Sequence, residues 1–383
     1  MLAEVIPLSL YIHLPWCVRK CPYCDFNSHH KPAEGLPEMA YVKALLEDVE
    51  HDLPKIWGRR IHSIFIGGGT PSLFSGEAFE ELFNGLRARL NFKPGIEITL
   101  EANPGTVERQ FFQAYHEIGI NRLSLGVQSF EAEKLKALGR IHSTEEALSA
   151  LGVARDAGFE NINIDLMFGL PQQSLEEALL DLQTALAQQT PHLSWYQLTL
   201  EPNTLFYKQP PILPNEDHLW EIQQAGQALL KEQGFINYEV SAYSKPGKNC
   251  QHNRNYWEFG DYLGIGAGAH SKITDMAQQS IKRFWKHKQP KQYLNSQANF
   301  IGGESTVLPT ALPFEFMLNA LRLQEPISAA LFAARTGLAW SELTPTLEQA
   351  AAKQLLSFDE QQLIVTDLGK QFLNDLMALF LEA

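Results

Sequence analysis

Residues 17–24 read Cys17-Val18-Arg19-Lys20-Cys21-Pro22-Tyr23-Cys24, and this stretch holds three of the four cysteines in a chain of 383 residues. An apolar run, Leu8–Leu14, comes just before it and is typical of a β-strand. Three thiols on one short loop indicate a metal or cluster site. The loop after the first predicted strand is therefore the candidate centre of the molecule.

The composition is that of a globular protein from a reducing compartment. Forty-four acidic residues against 31 basic ones disfavour general nucleic-acid binding. The few, clustered cysteines do not fit a secreted disulfide scaffold. The first residues lack a basic run, and no uninterrupted apolar stretch of about 18 residues occurs, so we expect neither a signal peptide nor a membrane-spanning helix. The expected location is the cytoplasm, and peripheral contact with a membrane stays open.

Strand-like and helix-like segments alternate six times. The predicted strands are Leu8–Leu14, His62–Ile66, Glu97–Leu100, Arg122–Leu125, Ile162–Met167 and Leu193–Leu200. The predicted helices are Met39–Leu53, Ala78–Leu90, Glu108–His116, Thr144–Asp156, Ser174–Gln188 and Glu216–Gln233, and Ser174 with Glu177 has the spacing of a capping box. This alternation is the signature of a parallel sheet with crossover helices. Because six units are fewer than a complete barrel needs, the predicted fold class is α/β with a partial parallel (β/α)6 barrel.

The alternation stops near residue 245, which predicts three parts. Residues 1–245 form the partial barrel with the cysteine loop. Residues 246–312 form an aromatic and basic closing segment, whose basic run is Lys272, Lys282, Arg283, Lys286, Lys288 and Lys291. Residues 313–383 form a small, mainly helical domain, similar to a winged helix, with a short strand at Gln362–Val365 and a last helix to Leu381. Its acidic charge favours a docking or lid role over DNA binding.

The cysteine spacing C-x3-C-x2-C favours an iron–sulfur cluster. Structural zinc takes four tetrahedral ligands, and no fourth Cys or His lies at zinc-finger spacing. A [4Fe–4S] cluster is normally held by four cysteines, so a loop with three leaves one iron open to a substrate or cofactor. The alternatives are three structural cysteines, or a zinc site that recruits His29 or His30.

Glycine-rich or polar motifs follow three of the later predicted strands and end a fourth. Residues 67–71 read Gly-Gly-Gly-Thr-Pro, residues 101–105 Glu-Ala-Asn-Pro-Gly, residues 126–130 Gly-Val-Gln-Ser-Phe and residues 165–171 Asp-Leu-Met-Phe-Gly-Leu-Pro. Each motif alone has a plainer explanation, such as a turn, a helix cap or a buried salt bridge. Parallel barrels bind ligands at the carboxyl ends of their strands, so together the motifs predict one ligand site beside the cysteine loop.

Residues 250–257 read Cys-Gln-His-Asn-Arg-Asn-Tyr-Trp. His and Cys are both iron ligands in haem sites, and aromatic faces suit a porphyrin plane. Basic residues nearby could bind the haem propionates through charge-assisted hydrogen bonds. The alternative is an aromatic loop that closes the barrel mouth. Residues 264–270, Gly-Ile-Gly-Ala-Gly-Ala-His, lack the βαβ frame of a dinucleotide motif and are predicted to be a loop that approaches the cofactor closely.

The cysteine loop resembles that of the radical S-adenosylmethionine (SAM) enzymes. In that family SAM chelates the open iron, and an electron from the cluster cleaves it to yield a 5′-deoxyadenosyl radical. Tyr-Ile-His-Leu-Pro-Trp-Cys at 11–17 and the strand-end motifs are similar to the oxygen-independent coproporphyrinogen III dehydrogenase group, HemN and its relatives, over nearly the whole chain. HemN has a further cysteine where this chain has Phe26. His-Asn-x-x-Tyr-Trp, from His252 to Trp257, resembles the hallmark of the haem-chaperone branch.

The resemblance implies site residues by position. The cluster ligands would be Cys17, Cys21 and Cys24. SAM at the cluster would contact Tyr11, Gly68 and Glu101, and a second cofactor molecule would contact Tyr23, Gly69, Thr70, Gln128, Arg140 and Asp165. Candidate haem contacts are Cys250, His252, Asn253, Tyr256 and Trp257. No catalytic residue is assigned.

The first functional hypothesis is a haem chaperone, which binds haem as cargo and delivers it to acceptor haemoproteins, such as a respiratory-chain apoprotein. The alternative is an enzyme, coproporphyrinogen III dehydrogenase, which forms protoporphyrinogen IX by radical oxidative decarboxylation. A third reading, a structural or RNA-modifying iron–sulfur protein, is disfavoured by the acidic charge. The chain is expected to be a monomer or a cluster-linked dimer.

Overall fold

A computed structural model of the protein describes residues 5–56, 58–106, 109–296 and 299–381. Its strands are Leu8–Leu14 (β1), Trp16–Cys17 (β2), His29–His30 (β3), Ile61–Gly68 (β4), Phe92–Ala102 (β5), Arg122–Gln128 (β6), Asn161–Phe168 (β7), His192–Gln197 (β8), Ile236–Glu239 (β9), Ala242–Ser244 (β10), Asp261–Ile265 (β11), His270–Asp275 (β12), Ser280–Lys286 (β13), Ile301–Thr306 (β14), Ile327–Ser328 (β15), Leu356–Phe358 (β16) and Gln362–Val365 (β17).

The helices are Glu38–Ile56 (α1), Gly76–Arg89 (α2), Arg109–Ile118 (α3), Ala132–Ala137 (α4), Thr144–Asp156 (α5), Leu175–Ala187 (α6), Leu205–Lys208 (α7), Glu216–Glu232 (α8), Gln251–Trp257 (α9), Pro290–Leu294 (α10), Leu312–Ala320 (α11), Ala329–Thr336 (α12), Thr344–Ala352 (α13), Asp367–Gln371 (α14) and Leu373–Ala378 (α15). Among the described residues, no helix is long and apolar enough to cross a membrane.

The six predicted strands lie side by side in one 12-stranded sheet, in the order β1-β4-β5-β6-β7-β8, and each neighbouring pair is parallel. The predicted fold class is therefore confirmed. β1 and α5 have the predicted bounds, and Ser174 forms the predicted capping box with Glu177. β5 begins earlier than predicted, at Phe92, because that residue pairs with Ile61 of β4. The predicted helix start at Glu108 lies outside the described residues.

The closing segment is more regular than its composition suggested. β11 joins the sheet as a seventh parallel strand beside β1, and β12, β13 and β14 continue the sheet in antiparallel order. Two lysines of the basic run are buried here. Lys286 donates to Asp48 at 2.5 Å and to Asp52 at 2.6 Å, and Lys272 pairs with Asp261 at 3.1 Å. Lys286, a member of the predicted basic run, is therefore enclosed by the core and is not among the bases that can meet a ligand.

The C-terminal residues build a second apolar core around Phe316, Phe332 and Leu347. β16 and β17 form an antiparallel hairpin and β15 pairs with the other edge of β17, so the predicted strand Gln362–Val365 is the middle strand of a small sheet. The last predicted helix is divided at Phe372 into α14 and α15. The boundaries of the three predicted parts stay predictions.

Gly226 in α8 is required by the packing of α8 against the sheet. A Cβ atom there would lie 2.0 Å from the Cη2 atom of Trp195, a buried residue of β8. We expect Gly226→Ala to lower the free energy of unfolding by roughly 1–3 kcal/mol, because a well-packed core resists added volume. Urea unfolding followed by circular dichroism measures this change.

Gly152 in α5 is the matched control, because a Cβ atom there would meet nothing within 4 Å. Gly152→Ala should raise the free energy of unfolding by up to about 1 kcal/mol through its higher helix propensity. Equal effects of the two substitutions would show that the packing of Gly226 on Trp195 is not as described.

Candidate cluster and ligand site

The cysteine loop is fixed at both of its ends. β2, which contains Cys17, pairs with β3. At the other end of the cysteine motif, the backbone N–H of Cys24 donates to the carbonyl of Cys21 at 3.2 Å, which closes a tight turn around Pro22. The Pro22 carbonyl accepts a hydrogen bond from the Phe206 N–H at 3.0 Å. The loop therefore holds its three thiols at the carboxyl-end face of the barrel.

Each of the three thiols has a polar neighbour supplied by a different segment. Thr70 Oγ1 donates to Cys17 Sγ at 3.6 Å, and Arg140 Nη1 donates to Cys21 Sγ at 3.6 Å. The third thiol lies beside a serine, with Cys24 Sγ and Ser28 Oγ 3.8 Å apart. Hydrogen bonds to the sulfurs are one of the means by which proteins tune iron–sulfur clusters.

Asn103 connects two of these donors. Its side-chain oxygen accepts from Arg140 Nη2 at 2.6 Å, and its side-chain nitrogen donates to Thr70 Oγ1 at 2.9 Å. A continuous chain of hydrogen bonds thus runs from Cys21 through Arg140, Asn103 and Thr70 to Cys17. It ties the loop to the ends of β4 and β5.

The residues present fit an iron–sulfur cluster. The three thiols line a single cleft of about 330 Å³. Within the described residues no three His, Cys, Asp or Glu side chains converge on one metal ion. A cubic cluster does not require this, because each cysteine binds a different iron atom. The buried Arg140 Nε also has no hydrogen-bond partner among the described residues, as expected of a polar wall made for a ligand.

The strand-end residues predicted to contact a cofactor share this cleft. Its lining includes Tyr23, Gly68, Gly69, Thr70, Glu101, Gln128, Arg140 and Asp165. Gly69 has no room for a side chain, because a Cβ atom would lie 2.5 Å from the Trp16 carbonyl oxygen. Gly68 has a φ of +118°, which favours glycine. Tyr11 lines the neighbouring cavity instead, where its hydroxyl lies 3.0 Å from His13 Nδ1. The individual roles of these residues stay predictions.

Two partly buried carboxyl groups face the cleft. Burial, together with the charge of Asp165, raises the pKa of Glu101 to about 8, although its Oε2 accepts a hydrogen bond from the Gly68 N–H at 3.2 Å. Burial also raises the pKa of Asp165, against the hydrogen bonds that it accepts from Ser124 at 2.9 Å and Asn163 at 2.8 Å. At neutral pH the Glu101 carboxyl is therefore mainly protonated and can donate as well as accept.

Two residues of the predicted haem motif are buried in the core, and the others line cavities. His252 is 1% exposed, and its ring nitrogens lie 3.1 Å from Ser63 Oγ and 2.9 Å from the Tyr256 hydroxyl. Cys250 is also buried, beside Glu97. Neither residue lines a cavity described here, and His252 holds Tyr256 in place.

The other three residues of the motif reach open space. Asn253 and Trp257 line the cysteine cleft, while Tyr256 and Trp257 line a second, larger cavity. The motif therefore brings aromatic side chains to the site, and its histidine lies behind them. The direct contact of any of these residues with haem stays a prediction.

The second cavity has a volume of about 770 Å³ and adjoins the cleft. Gly68, Glu101 and Trp257 belong to the walls of both. Its remaining walls include Tyr262, His270, Arg283 and Lys288. His270 ends the loop that was predicted to approach the cofactor, and Arg283 and Lys288 belong to the basic run, whereas Tyr262 was not named from the sequence. Short-range patterns do not show that the pairing of β11, β12 and β13 brings Tyr262, His270 and Arg283 to one wall.

Comparison with known proteins assigns the family. The haem chaperone HemW of Escherichia coli is 50% identical over 380 residues, which cover 99% of this chain and 100% of that protein. The chain belongs to the HemW family. The haem chaperones HemW of Haemophilus influenzae and Bacillus subtilis are 49% and 32% identical, over 98% and 97% of this chain and 98% and 99% of theirs. The resemblance stated from the motifs is confirmed.

Family models and one solved structure agree with this assignment to the HemW family. A model of the radical SAM superfamily matches residues 11–184, and a model of the HemN C-terminal domain matches residues 307–372. The structure of coproporphyrinogen III oxidase (HemN) from Escherichia coli, a radical SAM enzyme, superposes with a TM-score of 0.82 at 25% identity, over 98% of this chain and 90% of that one.

Cys24→Ser should abolish the visible absorbance of the reconstituted cluster, because a hydroxyl is a poor ligand for a soft iron–sulfur site. The barrel should stay folded, since Cys24 lies on a loop outside the apolar core. Anaerobic iron–sulfide reconstitution followed by absorption and circular dichroism spectroscopy checks both outcomes. The matched control is Cys250→Ala, which removes the one cysteine outside the cleft. Cluster absorbance that survives Cys24→Ser but not Cys250→Ala would refute the ligand assignment.

Glu101→Gln should change the pH dependence of stability in the protein without cofactor. A carboxyl with a raised pKa stabilises the folded state below its unfolded pKa, near 4.5, and this contribution is lost as the pH rises towards about 8. The wild type should therefore lose roughly 1–3 kcal/mol relative to Glu101→Gln between these pH values. Urea unfolding at several pH values measures the difference. The exposed Glu160→Gln should follow the wild type, and parallel curves for all three proteins would contradict the burial of a protonated Glu101.

Proposed function

We propose that this protein binds haem and delivers it to acceptor haemoproteins, on a scaffold that also holds a [4Fe–4S] cluster and SAM. The observation that carries the proposal is the adjacency of two cavities. A cleft with three cysteine thiols shares a wall with a 770 Å³ cavity of aromatic and basic lining. Full-length relatives that are up to 50% identical to this chain are named haem chaperones, which supports the same proposal.

In this proposal Cys17, Cys21 and Cys24 hold the cluster. A bound [4Fe–4S] cluster with SAM supplies one-electron chemistry. The protein's own part is to fix the thiols through Thr70 and Arg140, and to let a ligand approach the backbone at Gly68 and Gly69. The remaining polar groups of the cleft, Tyr23, Gln128 and Asp165, are available to a second cofactor molecule.

The larger cavity suits haem for three reasons. Its volume lies within the range of 300–1,000 Å³ that is usual for small-molecule sites. Tyr256, Trp257 and Tyr262 supply aromatic surface for a flat apolar ring. Arg283 and Lys288 supply positive charge for the two propionates of the ligand.

The acceptor, the location and the assembly belong to the proposal as well. We expect an acceptor such as a respiratory-chain apoprotein, which the chaperone meets from the cytoplasm with peripheral membrane contact. The exposed position of Phe26 on the cysteine loop, beside both cavities, is compatible with a monomer or with a dimer joined near the cluster.

The alternative function is oxygen-independent conversion of coproporphyrinogen III to protoporphyrinogen IX. The similarity of the fold to that of HemN over nearly the whole chain favours it, as does the gathering of the predicted cofactor residues in one cleft. The substrate of that reaction is also a tetrapyrrole with carboxylate side chains, so the larger cavity suits both functions. An activity assay separates them.

Purified protein with a reconstituted cluster should bind haem stoichiometrically and transfer it to an apo-haemoprotein such as apomyoglobin. Trp257→Ala should weaken haem binding by about 10-fold or more, because a large aromatic wall of the cavity is lost. Absorption titration near the Soret band measures both. The matched control is Trp220→Ala in α8, a half-exposed tryptophan that lines neither cavity.

An anaerobic assay with coproporphyrinogen III, SAM and a reductant completes the test. The proposed function predicts that no protoporphyrinogen IX forms. A wild type that binds no haem, or one that turns over coproporphyrinogen III, would contradict the proposal.

A further inference from the structure

Three histidines line the larger cavity, and they differ in what their ring nitrogens contact. Both nitrogens of His13 are engaged, Nδ1 by the Tyr11 hydroxyl at 3.0 Å and Nε2 by the Asn27 carbonyl at 2.9 Å. His29 Nε2 lies 3.2 Å from the side-chain oxygen of Asn27. His270 makes no hydrogen bond through its ring to any described residue. Its nitrogens are thus free for a ligand.

The ring of His270 is oriented without the use of its nitrogens. His270 is the first residue of β12 and pairs with Trp285 of β13. The two rings stack at a centroid distance of 6.0 Å and an interplanar angle of 26°. A histidine that is held through its ring face, at an exposed position on a cavity wall, is well placed to coordinate a metal ion.

The charges around His270 suit an anionic ligand. Arg283 and Lys288 lie on the same cavity wall, close enough for their charges to act on His270. Arg283 also pairs with Glu315, whereas Lys288 makes no ion pair within the described residues. Of the two acids on the wall, Asp25 is at the exposed cysteine loop, and Glu101 is mainly protonated at neutral pH.

We propose, on the basis of the proposed function, that His270 is an axial ligand of the haem iron in this cavity. Tyr256 and Trp257 then cover the ring, and Arg283 and Lys288 meet the propionates. His252 serves a different purpose, since its buried ring bonds to Ser63 and Tyr256 and so positions the aromatic wall. The residue that coordinates the haem iron thus comes from β12, and the motif at 252–257 shapes the cavity.

Titration of ferric haem into wild type, His270→Ala and His252→Ala tests this assignment by absorption and electron paramagnetic resonance (EPR) spectroscopy. His270→Ala should lose the signature of histidine ligation and bind haem at least about 10-fold more weakly. Added imidazole should restore the signature, because it can occupy the space of the missing ring. His252→Ala should keep the signature of histidine ligation even where the affinity falls through the loss of support for Tyr256.

His218→Ala is the control for the loss of a histidine, because His218 lies on α8 and lines neither cavity. It should match the wild type in spectrum and affinity. The assignment is overturned if His270→Ala keeps the wild-type spectrum, or if His252→Ala alone loses the histidine signature. A wild type that binds no haem overturns the proposed function itself, so the two failures can be told apart.

Discussion

The site depends on the partly buried guanidinium of Arg140. It donates to the thiol of Cys21, to the side-chain oxygen of Asn103 and to the carbonyl of Gly126, and so joins the cysteine loop to the ends of β5 and β6. A buried cation is costly unless its donors are satisfied, and within the described residues its Nε is not. The guanidinium therefore couples the position of the cluster loop to the barrel, and it leaves a donor for whatever fills the cleft.

Short-range sequence patterns were sufficient to predict the partial barrel. The apolar run Leu8–Leu14 predicted β1 correctly, and the Ser174 capping box marked the start of α6, because both depend on residues a few positions apart. The clustering of the strand-end motifs was predictable as well, since a parallel sheet brings its carboxyl ends together whatever the details of packing.

Long-range contacts explain what the sequence did not show. The strands β12 and β13 were not predicted within the aromatic and basic closing segment, because what buries them lies far away in sequence: Lys286 is neutralised by two aspartates of α1 more than 200 positions away. The motif around His252 did not show that its ring contacts the Ser63 hydroxyl, which lies on β4. Residues 264–270 were predicted to approach the cofactor, but the stacking of His270 on Trp285 follows from strand register and is not visible in the local sequence.

The two cavities share Gly68, Glu101 and Trp257, so that a cluster in one and haem in the other would be close neighbours. The most direct test of this account is EPR relaxation of the reduced cluster in protein that also carries paramagnetic haem. The account predicts that haem markedly accelerates the relaxation of the cluster signal, as expected for neighbouring centres. A cluster signal whose relaxation is unchanged when haem is bound would contradict it.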